Sequence, residues 1–376
     1  MRSPTSSTRR HWLAQVAALG LGAAAGSALA RTHEAAPLRF AAAWEADADG
    51  YQVGVLQQQA GQLAIQSALS VPTRAHGVWV EAGQGSGGTL LAAARRPGDW
   101  LVRMRIADGQ ALAWHWMEGG RAFNGHVIAS ADGQRLYTTE TDLENAEGLI
   151  GVRDAATLEK IDEWRTQGMD PHELLLDADG TLLVANGGIP TWPETGRVKV
   201  DLHRMDASLV RLDTRDGRVR GQWRVADQRL SLRHLAWGQD ERGARVLGIA
   251  LQAEHDDAAA RAAAPLFARF DGRALQVFGG AQPLAGYAGD IGFAAGRFAL
   301  SCPRAQGVAL WRSDGRWAGF VPLAEACALA PDPQAARLWA GGAGSAQALD
   351  GRTDAAAPAL RVPGLRLDNH WALLRA

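Results

Sequence analysis

A hairpin that begins with a polar residue recurs along this chain, and the repeat restricts the possible fold more than any other sequence feature. In five copies the leading residue is a histidine, and in the other two it is an aspartate or a cysteine. The leading residues are His76, His126, His172, His234, Asp290, Cys327 and His370. From His76 to His370 the repeat advances by about 49 residues a step on average.

Each of the first six leading residues starts an apolar strand, which is followed by a turn and a second apolar strand. The second strands are TLLAAARRPG, RLYTTETD, TLLVANGG, RVLGIALQ, RFALSCPR and RLWAGGAG. The turns contain Gly, Asp-Gly or Pro, the residues that tight hairpins require. Most units continue with a further strand, turn and strand, as in LVRLDTRDGRVRGQWRV. The pattern therefore predicts about four antiparallel strands in each unit.

The last unit is incomplete at the C-terminus, and the missing strands stand near the N-terminus. HWALLRA, residues 370–376, provides a first strand without a second. LRFAAAWE, residues 38–45, resembles a second strand without a first, and YQVGVLQQ and LAIQSALSV supply the next two. We therefore expect residues 367–375 to pair beside Phe40–Glu45, which would remove an exposed sheet edge.

The sequence thus predicts an all-β fold. We expect a seven-bladed β-propeller of four-stranded antiparallel blades, with the closing blade shared between the N- and C-termini. An irregular β-sandwich and a stacked solenoid are the alternatives. Insertions around residues 190–208 and 255–264 leave six or eight blades open.

The first thirty residues predict an export signal that precedes the folded domain. Arg9 and Arg10 are followed by a stretch of Ala, Gly and Leu, and Ala28-Leu29-Ala30 fits an A-x-A cleavage site. The paired arginines favour the twin-arginine pathway, with an ordinary secretory signal as the alternative. We therefore expect residues 1–30 to be a twin-arginine signal peptide and residues 31–376 a single β-propeller domain in the periplasm.

Charge and composition argue against nucleic acid as a partner and against a membrane span, and they limit the number of disulfides. The chain has 39 Lys and Arg against 40 Asp and Glu, whereas binding to nucleic acid requires a basic surface. No segment after the signal is long and apolar enough to span a bilayer. The two cysteines, Cys302 and Cys327, allow at most one disulfide within the chain.

The leading residues are also the candidate functional residues. The first strand of a propeller blade lines the central channel, so we expect these residues to surround one mouth of it. The ends of the second strands should lie just outside, with Arg95, Arg96, Glu140, Asn186, Gln252 and Cys302. The candidate ligand-binding residues are His76, His126, His172, His234, His370, Asp290, Glu140, Asn186, Arg74, Arg96 and Arg233.

Several imidazoles near carboxylates could bind a transition metal, because neutral imidazole is a common ligand of Zn, Cu, Fe and Ni. Metal–nitrogen bonds are about 2 Å long, so we expect only neighbouring blades to share a site. The metal candidates are His126, His172 and Glu140. The arginines could instead bind the carboxylates of a porphyrin or a ferric chelate. Each histidine could also be structural, donating a ring N–H to a loop carbonyl.

Several stretches together carry a family resemblance. They are AARRPG (93–98), FNGHVIASADGQRLYTTETD (123–142), EGLIGVRDA (147–155), DPHE (170–173), LLVANGGI (182–189) and LSLRHLA (230–236). The chain resembles the twin-arginine-exported bacterial proteins grouped as domain of unknown function 1513, over nearly all of the mature chain. That family often has Gly-Pro-His-Glu where Asp170 begins the motif here, and we expect the exchange to relax a backbone constraint.

The resemblance implies a periplasmic β-propeller with no established reaction. Members are commonly encoded beside imelysin-like and di-heme peroxidase-like periplasmic proteins, in clusters that resemble iron-uptake systems. The resemblance therefore implies a role with iron, heme or such a partner protein, although fold and association do not determine function.

The sequence predicts a binding protein rather than an enzyme. It contains no P-loop, Rossmann glycine pattern, G-x-S-x-G elbow, H-E-x-x-H or Cys-x-x-Cys-His motif. We expect an accessory protein of an iron-related system that binds a transition metal, a heme or iron complex, or a partner protein. The alternative is a metal-dependent hydrolase or oxidoreductase at the same channel mouth, with Glu140 or Asp290 as base. A scaffold that binds only proteins is a third hypothesis.

Overall fold

The computed structural model describes residues 36–46, 50–81, 88–192, 195, 198–332, 334–350 and 356–374. The predicted signal peptide, residues 1–30, lies outside this part of the chain. No helix in the described ranges is long and apolar enough to cross a membrane. The described residues after Ala36 belong to one compact unit.

Almost all regular structure in the described residues is β-strand, and the strands form sheets in chain order. The first three strands are β1 (Arg39–Ala46), β2 (Gly50–Gln59) and β3 (Gln62–Ser70). The next sheet contains β4 (Ala75–Val80), β5 (Thr89–Ala94), β6 (Trp100–Arg105) and β7 (Ala111–Trp116). It is followed by the sheet of β8 (Arg121–Ala129), β9 (Arg135–Asp142), β10 (Gly148–Asp154) and β11 (Lys160–Arg165).

The middle of the chain continues the same antiparallel pattern. One sheet contains β12 (Pro171–Leu176), β13 (Thr181–Asn186), β14 (Ser208–Asp213) and β15 (Val219–Arg224). The next contains β16 (Leu230–Gln239), β17 (Arg245–Ala253), β18 (Phe267–Phe270) and β19 (Leu275–Phe278). Between β17 and β18, within the predicted insertion, lies the short helix α1 (Ala258–Ala263), which Asp257 caps by accepting a hydrogen bond from Ala260 N–H.

The end of the chain completes two further groups of strands. One sheet contains β20 (Asp290–Ala294), β21 (Arg297–Cys302), β22 (Gly307–Arg312) and β23 (Trp317–Pro322). The remaining strands are β24 (Ala328–Asp332), β25 (Arg337–Gly341), β26 (Ser345–Asp350), β27 (Ala356–Arg361) and β28 (Leu365–Leu374). They combine with the first three strands into an eight-stranded sheet of order β24-β25-β26-β27-β3-β2-β1-β28.

The predicted pairing between the two ends of the chain is confirmed. β1 and β28 are antiparallel, with Phe40 opposite Leu373 and Glu45 opposite Arg366. Phe40 stacks on Trp371 of β28 with a centroid distance of 4.3 Å, and both side chains are buried. Burial of two aromatic rings contributes several kcal/mol, of the order of 3–5 for each large side chain, so this contact holds the ends of the chain together.

The sheets surround a central channel. The first strand of each group contacts the first strands of the groups beside it, in the order β4, β8, β12, β16, β20, β24 and β28, and β28 contacts β4 again. The apolar core lies between adjacent sheets, as where Leu183 and Leu209 of one sheet pack with Leu235 and Ile249 of the next. Antiparallel sheets packed face to face in a closed circle are a β-propeller.

Candidate metal centre in the central channel

The first strands that carry a histidine are irregular at that histidine. Each has a register shift against its neighbouring strand, beside His76, His126, His172, His234 and His370. β20 begins at Asp290 and β24 follows Cys327, and both pair with their neighbours without a shift. A β-bulge bends its strand and redirects a side chain. The bulges therefore explain how the imidazoles leave the regular pleat and enter the channel.

The five imidazoles pack against one another. In nine of the ten pairs the ring centroids are 4.5–5.8 Å apart; His234 and His370 are the nearest pair, and His76 and His234 the most distant of the nine. His172 Nε2 lies 3.2 Å from Nε2 of His76 and 3.3 Å from Nε2 of His234. One ring nitrogen from each of the other four histidines lies within 4.8 Å of the rest: His76, His126, His234 and His370. We call these five residues the histidine cluster.

The expectation that only neighbouring blades could share a site is wrong. The histidine cluster receives one side chain from each of five different sheets. The bulges bring the imidazoles across the channel, and small residues let the strands approach. A Cβ on Gly125, whose φ is +104°, would lie 2.7 Å from His76 Cδ2. A Cβ on Gly77 would lie 2.5 Å from the Gly125 carbonyl oxygen, so both positions require glycine.

Four imidazoles have a carboxylate oxygen within 4.0 Å of Nδ1. The pairs are His370–Asp290 at 3.2 Å, His234–Glu173 at 3.5 Å, His76–Asp368 at 3.9 Å and His126–Glu173 at 4.0 Å. These are the same four histidines whose ring nitrogens lie within 4.8 Å of one another. Only the His370–Asp290 pair is a hydrogen bond, because Nδ1 of His76 and of His234 has no hydrogen-bond partner within the described residues. A carboxylate that accepts from Nδ1 orients an imidazole and leaves Nε2 for a metal ion.

The Nε2 atoms have few partners other than one another. Nε2 of His126 and of His370 is buried and makes no hydrogen bond within the described part of the chain. A buried polar atom without a partner costs about 1–3 kcal/mol. The ring nitrogens of His76, His172 and His234 are spaced at 3.2 and 3.3 Å. These are hydrogen-bond distances, and they are also close to the ~3.3–3.4 Å that separates ligand atoms in a tetrahedral site with bonds of about 2.0–2.1 Å.

Burial controls the protonation of the cluster. Desolvation lowers the pKa of His76, His126, His172 and His234 well below the usual 6.5, and neighbouring positive charges lower it further. Burial also opposes the charge on His370, but the carboxylates of Asp290, Glu173 and Asp368 together outweigh it and raise the pKa of His370. Desolvation raises the pKa of Glu173 to about 7. Four imidazoles are therefore neutral at pH 7, as metal binding requires.

A cavity of about 340 Å³ adjoins the cluster on one side, and we call it the arginine cavity. His76, His172 and His234 line its inner end. Its cationic lining residues are Arg95, Arg96, Lys199, Arg233 and Arg304, and the others are Gln252, Tyr287 and Asn369. This cavity gives a small molecule or ion access to three of the imidazoles.

A second cavity, of about 350 Å³, adjoins the cluster on the opposite side. It is lined by His126, His370, Glu173 and Asp290 together with apolar side chains such as Leu175. The two cavities share no lining residue. The cluster therefore borders two cavities with different linings, one rich in cations and one that contains two carboxylates among apolar side chains.

Of the other leading residues, Asp290 belongs to the site and Cys327 does not. Asp290 contacts His370 and accepts hydrogen bonds from the N–H groups of Ile291 and Leu329, each at 2.8 Å. Cys327 Sγ lies near the carbonyl oxygens of Gly341 and Leu367. Both Cys327 and Cys302 are free thiols.

Glu140 does not join His126 and His172, so the trio suggested as metal candidates is not brought together. The Glu140 carboxylate is fully buried within its own sheet, 2.6 Å from Arg153 Nη2 and 3.0 Å from Lys160 Nζ. Arg153 is itself fully buried, and it needs this carboxylate as a counter-charge. Sequence position alone could not distinguish a ligand from half of an internal ion pair.

Asn186 also serves the fold rather than the cluster. Its Nδ2 donates to the Thr166 carbonyl at 3.0 Å and to Ser208 Oγ at 3.2 Å. These bonds join the end of β13 to the chain before β12 and to β14. Gln252, at the end of β17, does line the arginine cavity, as do Arg95 and Arg96.

The predicted arginines are held by two buried aspartates. Asp170 lies 2.5 Å from Arg96 Nη1 and 2.5 Å from Arg233 Nη1. Asp368 lies 2.5 Å from Arg74 and 3.3 Å from Arg95. Arg74 therefore supports Asp368, which stands beside His76, and is not itself among the residues lining the arginine cavity.

Asp170 does not relax the backbone constraint, contrary to the expectation from the family motif. Its φ is +52°, in the left-handed region that glycine adopts most readily. Aspartate tolerates this region better than most residues. Its carboxylate pairs with two arginines, an interaction that a glycine at this position could not make.

Several residues of the site are not among the candidates predicted from the sequence. Glu173 and Asp368 stand one and two residues from cluster histidines, and proximity to His172 and His370 was the available signal. Lys199 lies in an insertion between β13 and β14, while Tyr287 and Arg304 lie in loops that flank β20 and β21. No spacing in the sequence connects these loop residues to the repeat.

A family model described as a protein of unknown function, DUF1513, matches residues 69–374. The chain belongs to this family. The family expected from the sequence motifs is thus confirmed, and all residues of the histidine cluster fall within the matched range. No curated protein sequence matches the chain.

Solved structures support the fold. The hydrazine synthase of Kuenenia stuttgartiensis has a TM-score of 0.56 at 13% identity, covering 84% of this chain and 93% of that one. A streptogramin B lyase structure has a TM-score of 0.52 at 11% identity, covering 78% of this chain and 85% of that one. At these identities the similarity shows the β-propeller fold alone.

Glu140→Gln should lower the free energy of unfolding by about 3–5 kcal/mol, because it leaves the buried Arg153 guanidinium without its counter-charge. Denaturation in guanidinium chloride measures the change. Glu144→Gln, at an exposed carboxylate just after β9, is the matched control and should change stability by less than about 0.5 kcal/mol. Equal effects of the two substitutions would contradict the structural role of Glu140.

The metal-free protein should lose stability as the pH falls below about 6.5. For each of the four histidines whose folded-state pKa is lowered, the unfolded chain then binds a proton that the folded chain does not, at up to about 1.4 kcal/mol per pH unit. The raised pKa values of His370 and Glu173 contribute stability at low pH that is lost as the pH rises. The four histidines with a lowered pKa outnumber the two groups with a raised pKa, so the free energy of unfolding decreases as the pH falls.

Thermal unfolding in the presence of a chelator, between about pH 7.5 and 5.5, tests this pH dependence. The midpoint should fall across that range in the wild-type protein. His203→Asn, at an exposed histidine, should leave the profile unchanged. A midpoint that is constant or rises towards pH 5.5 would be inconsistent with neutral buried imidazoles.

Proposed function

We propose that this protein binds one divalent transition-metal ion at the histidine cluster. One observation carries the proposal: four histidines whose ring nitrogens lie within 4.8 Å of one another each have a carboxylate near Nδ1. Purely structural histidines would donate to loop carbonyls, but these imidazoles face carboxylates and one another. His172 is outside this group of four, but its Nε2 lies 3.2 Å and 3.3 Å from Nε2 of His76 and of His234.

The donor atoms narrow the choice of metal. Imidazole nitrogen suits Zn²⁺, Cu²⁺, Ni²⁺ and Fe²⁺, whereas Ca²⁺ and Mg²⁺ take oxygen ligands. The carboxylates of Glu173, Asp290 and Asp368 lie on the Nδ1 side of the imidazoles, and Asp290 orients His370 through a hydrogen bond. They also compensate the charge of a divalent cation at close range.

On the side of the arginine cavity, a metal ion fits the site better than a heme. A porphyrin presents two large apolar faces, and ligand pockets for such groups are lined mostly by hydrophobic and aromatic side chains. The arginine cavity has no aliphatic lining residue and one aromatic residue, Tyr287. The five imidazoles also contact one another, which leaves no gap for a planar macrocycle among them.

A metal-dependent hydrolase or oxidoreductase is the second candidate, because the arginine cavity gives a substrate access to three cluster histidines. The bases suggested for it from the sequence are poorly placed. Glu140 is paired with Arg153 and Lys160 in the interior of its sheet. Asp290 is held by His370 and two backbone N–H groups. A binding role therefore remains the better-supported function.

We also propose that the propeller has seven blades. Within the eight-stranded sheet, β27 and β3 are joined by a single parallel residue pair, Arg361 with Gln62. Every other neighbour in that sheet is antiparallel over several residues. Treating β24–β27 and β28-β1-β2-β3 as two blades makes every blade four-stranded, in agreement with the closed order of the first strands.

We further propose export to the periplasm by the twin-arginine pathway and an accessory role in an iron-related system. Arg9, Arg10 and the Ala28-Leu29-Ala30 segment support export. The family resemblance supports an imelysin-like or di-heme peroxidase-like partner protein. An all-imidazole site would suit Fe²⁺ among the metals of such a system.

Replacing both Arg9 and Arg10 with lysine should prevent export if the twin-arginine pathway is used. Cell fractionation and immunoblotting of the full-length chain would show the protein retained in the cytoplasm at its precursor size. Arg2→Lys, in the same segment, should be exported normally. Normal export of the double variant would point to the ordinary secretory pathway.

Chelator-treated protein should bind one Zn²⁺ per chain in calorimetry, and Co²⁺ should give the visible absorption bands of imidazole coordination. His234→Ala should weaken Zn²⁺ binding by at least about 100-fold, since even the loss of an outer partner costs 10–100-fold. His115→Ala, at a half-buried histidine on β7, is the control and should bind as the wild type does. Absence of saturable binding to the folded wild-type protein would refute the proposal.

A further inference from the structure

We propose that the arginine cavity binds a small organic polyanion, of the di- or tricarboxylate class, next to the histidine cluster. The inference goes beyond the metal site, because the cations of the cavity need no metal to attract an anion. It rests on the charge of the cavity, the way its arginines are held, and its size and lining.

The lining carries more positive than negative charge. Five of its residues are cations, namely Arg95, Arg96, Lys199, Arg233 and Arg304, and none is a carboxylate. Three carboxylates pair with these cations from outside the lining: Asp170, Asp368 and Glu254. Asp368 also pairs with Arg74. The described residues around this cavity therefore leave an excess of positive charge that faces the empty volume.

The cations of the arginine cavity lack sufficient counter-charge, and they also repel one another. Burial lowers the pKa of Arg233, and the nearby charge of Arg96 lowers it further, although Asp170 opposes both effects. Burial lowers the pKa of Lys199 despite its pairing with Glu254, and Arg233 and Arg96 also contribute. A polyanion in the cavity would relieve this repulsion, because opposite charges at short distance in a partly desolvated site attract strongly.

Arg233, which is almost fully buried, is held in place by an ion pair that leaves some of its N–H donors unused. The Arg233 side chain is 5% exposed and contacts Asp170 through Nη1. A Cβ on Gly187 would lie 2.6 Å from that Nη1 and 2.6 Å from Asp170 Oδ2, so only glycine leaves room for the pair. A guanidinium has five N–H donors. Arg233 therefore retains donors for a carboxylate while its orientation is maintained by Asp170.

The outer end of the cavity is organised around Tyr287. The Arg304 guanidinium lies over the Tyr287 ring, 4.9 Å from its centroid, and Asn369 Nδ2 donates to the Tyr287 hydroxyl at 2.9 Å. Arg304 is exposed, and it has no carboxylate partner among the ion pairs of the described residues. It is therefore available to a ligand that enters from solvent.

Size and lining favour an organic polyanion. The volume of about 340 Å³ is at the lower end of the range for small-molecule sites, about 300–1,000 Å³, and exceeds what a single inorganic ion fills. Arginine pairs bidentately with carboxylates. Gln252 and Asn369 can hydrogen-bond hydroxyl or carboxyl groups, and the lack of aliphatic lining disfavours a lipid.

Calorimetric titration of chelator-treated protein with citrate tests the inference, with acetate and inorganic phosphate as comparison probes. We expect one citrate per chain, weaker binding at high ionic strength, and at least about tenfold weaker binding of acetate and phosphate. Arg304→Gln and Arg95→Gln should each weaken citrate binding about tenfold. Arg273→Gln, at an exposed arginine in the turn between β18 and β19, is the control and should bind citrate normally.

Absence of saturable citrate binding to the folded wild-type protein would overturn the inference, as would an equal loss of binding in Arg273→Gln and Arg304→Gln. Phosphate binding as tightly as citrate would also overturn it, since that indicates a site for an inorganic oxyanion. The same titrations distinguish failure of this inference from failure of the proposed metal site. Citrate binding without Zn²⁺ binding would leave the anion site intact, and Zn²⁺ binding without citrate binding would leave only the metal site.

Discussion

The antiparallel pairing of β1 with β28 is the constraint on which the channel depends. It brings a strand from each end of the described chain into one sheet, and the stacked rings of Phe40 and Trp371 lie at that junction. β28 also carries His370 and Asp368. The same pairing therefore positions the His370 imidazole of the cluster and the Asp368 carboxylate, which lies beside His76. An open circle would leave the edge strands exposed to solvent and the histidines apart.

Inside the channel, burial favours neutral side chains, whereas the imidazoles are surrounded by charged carboxylates and arginines. Bringing five imidazoles out of water favours their neutral forms, and this suits them to a metal ion. Carboxylates stand on the Nδ1 sides, and arginines paired with Asp170 and Asp368 stand beyond them. The cluster therefore separates a cavity of mainly positive character from one that contains Glu173 and Asp290. Different interactions would bind the two ligands: imidazole nitrogens would coordinate the metal ion, and the positive charge of the arginine cavity would attract the anion.

The repeat and its closure could be predicted from the sequence because hairpin signals are local. Alternating apolar residues and Asp-Gly turns specify a strand pair regardless of what lies across the channel. The incomplete units at the two ends predicted that β28 would pair with β1. Histidine at the leading position likewise predicted which side chains would face the channel, since that position is the same in every unit.

The amino-acid sequence by itself determined the strands, their grouping into antiparallel sheets, and the presence of a histidine on five of the first strands. Only the tertiary structure decided how close those histidines come. The bulges beside them and the glycines at 77 and 125 matter only when strands distant in sequence meet across the channel. The same reason separates Glu140 from Glu173: the partners of each carboxylate depend on its three-dimensional neighbours, and Glu140 contacts Arg153 while Glu173 lies beside His234.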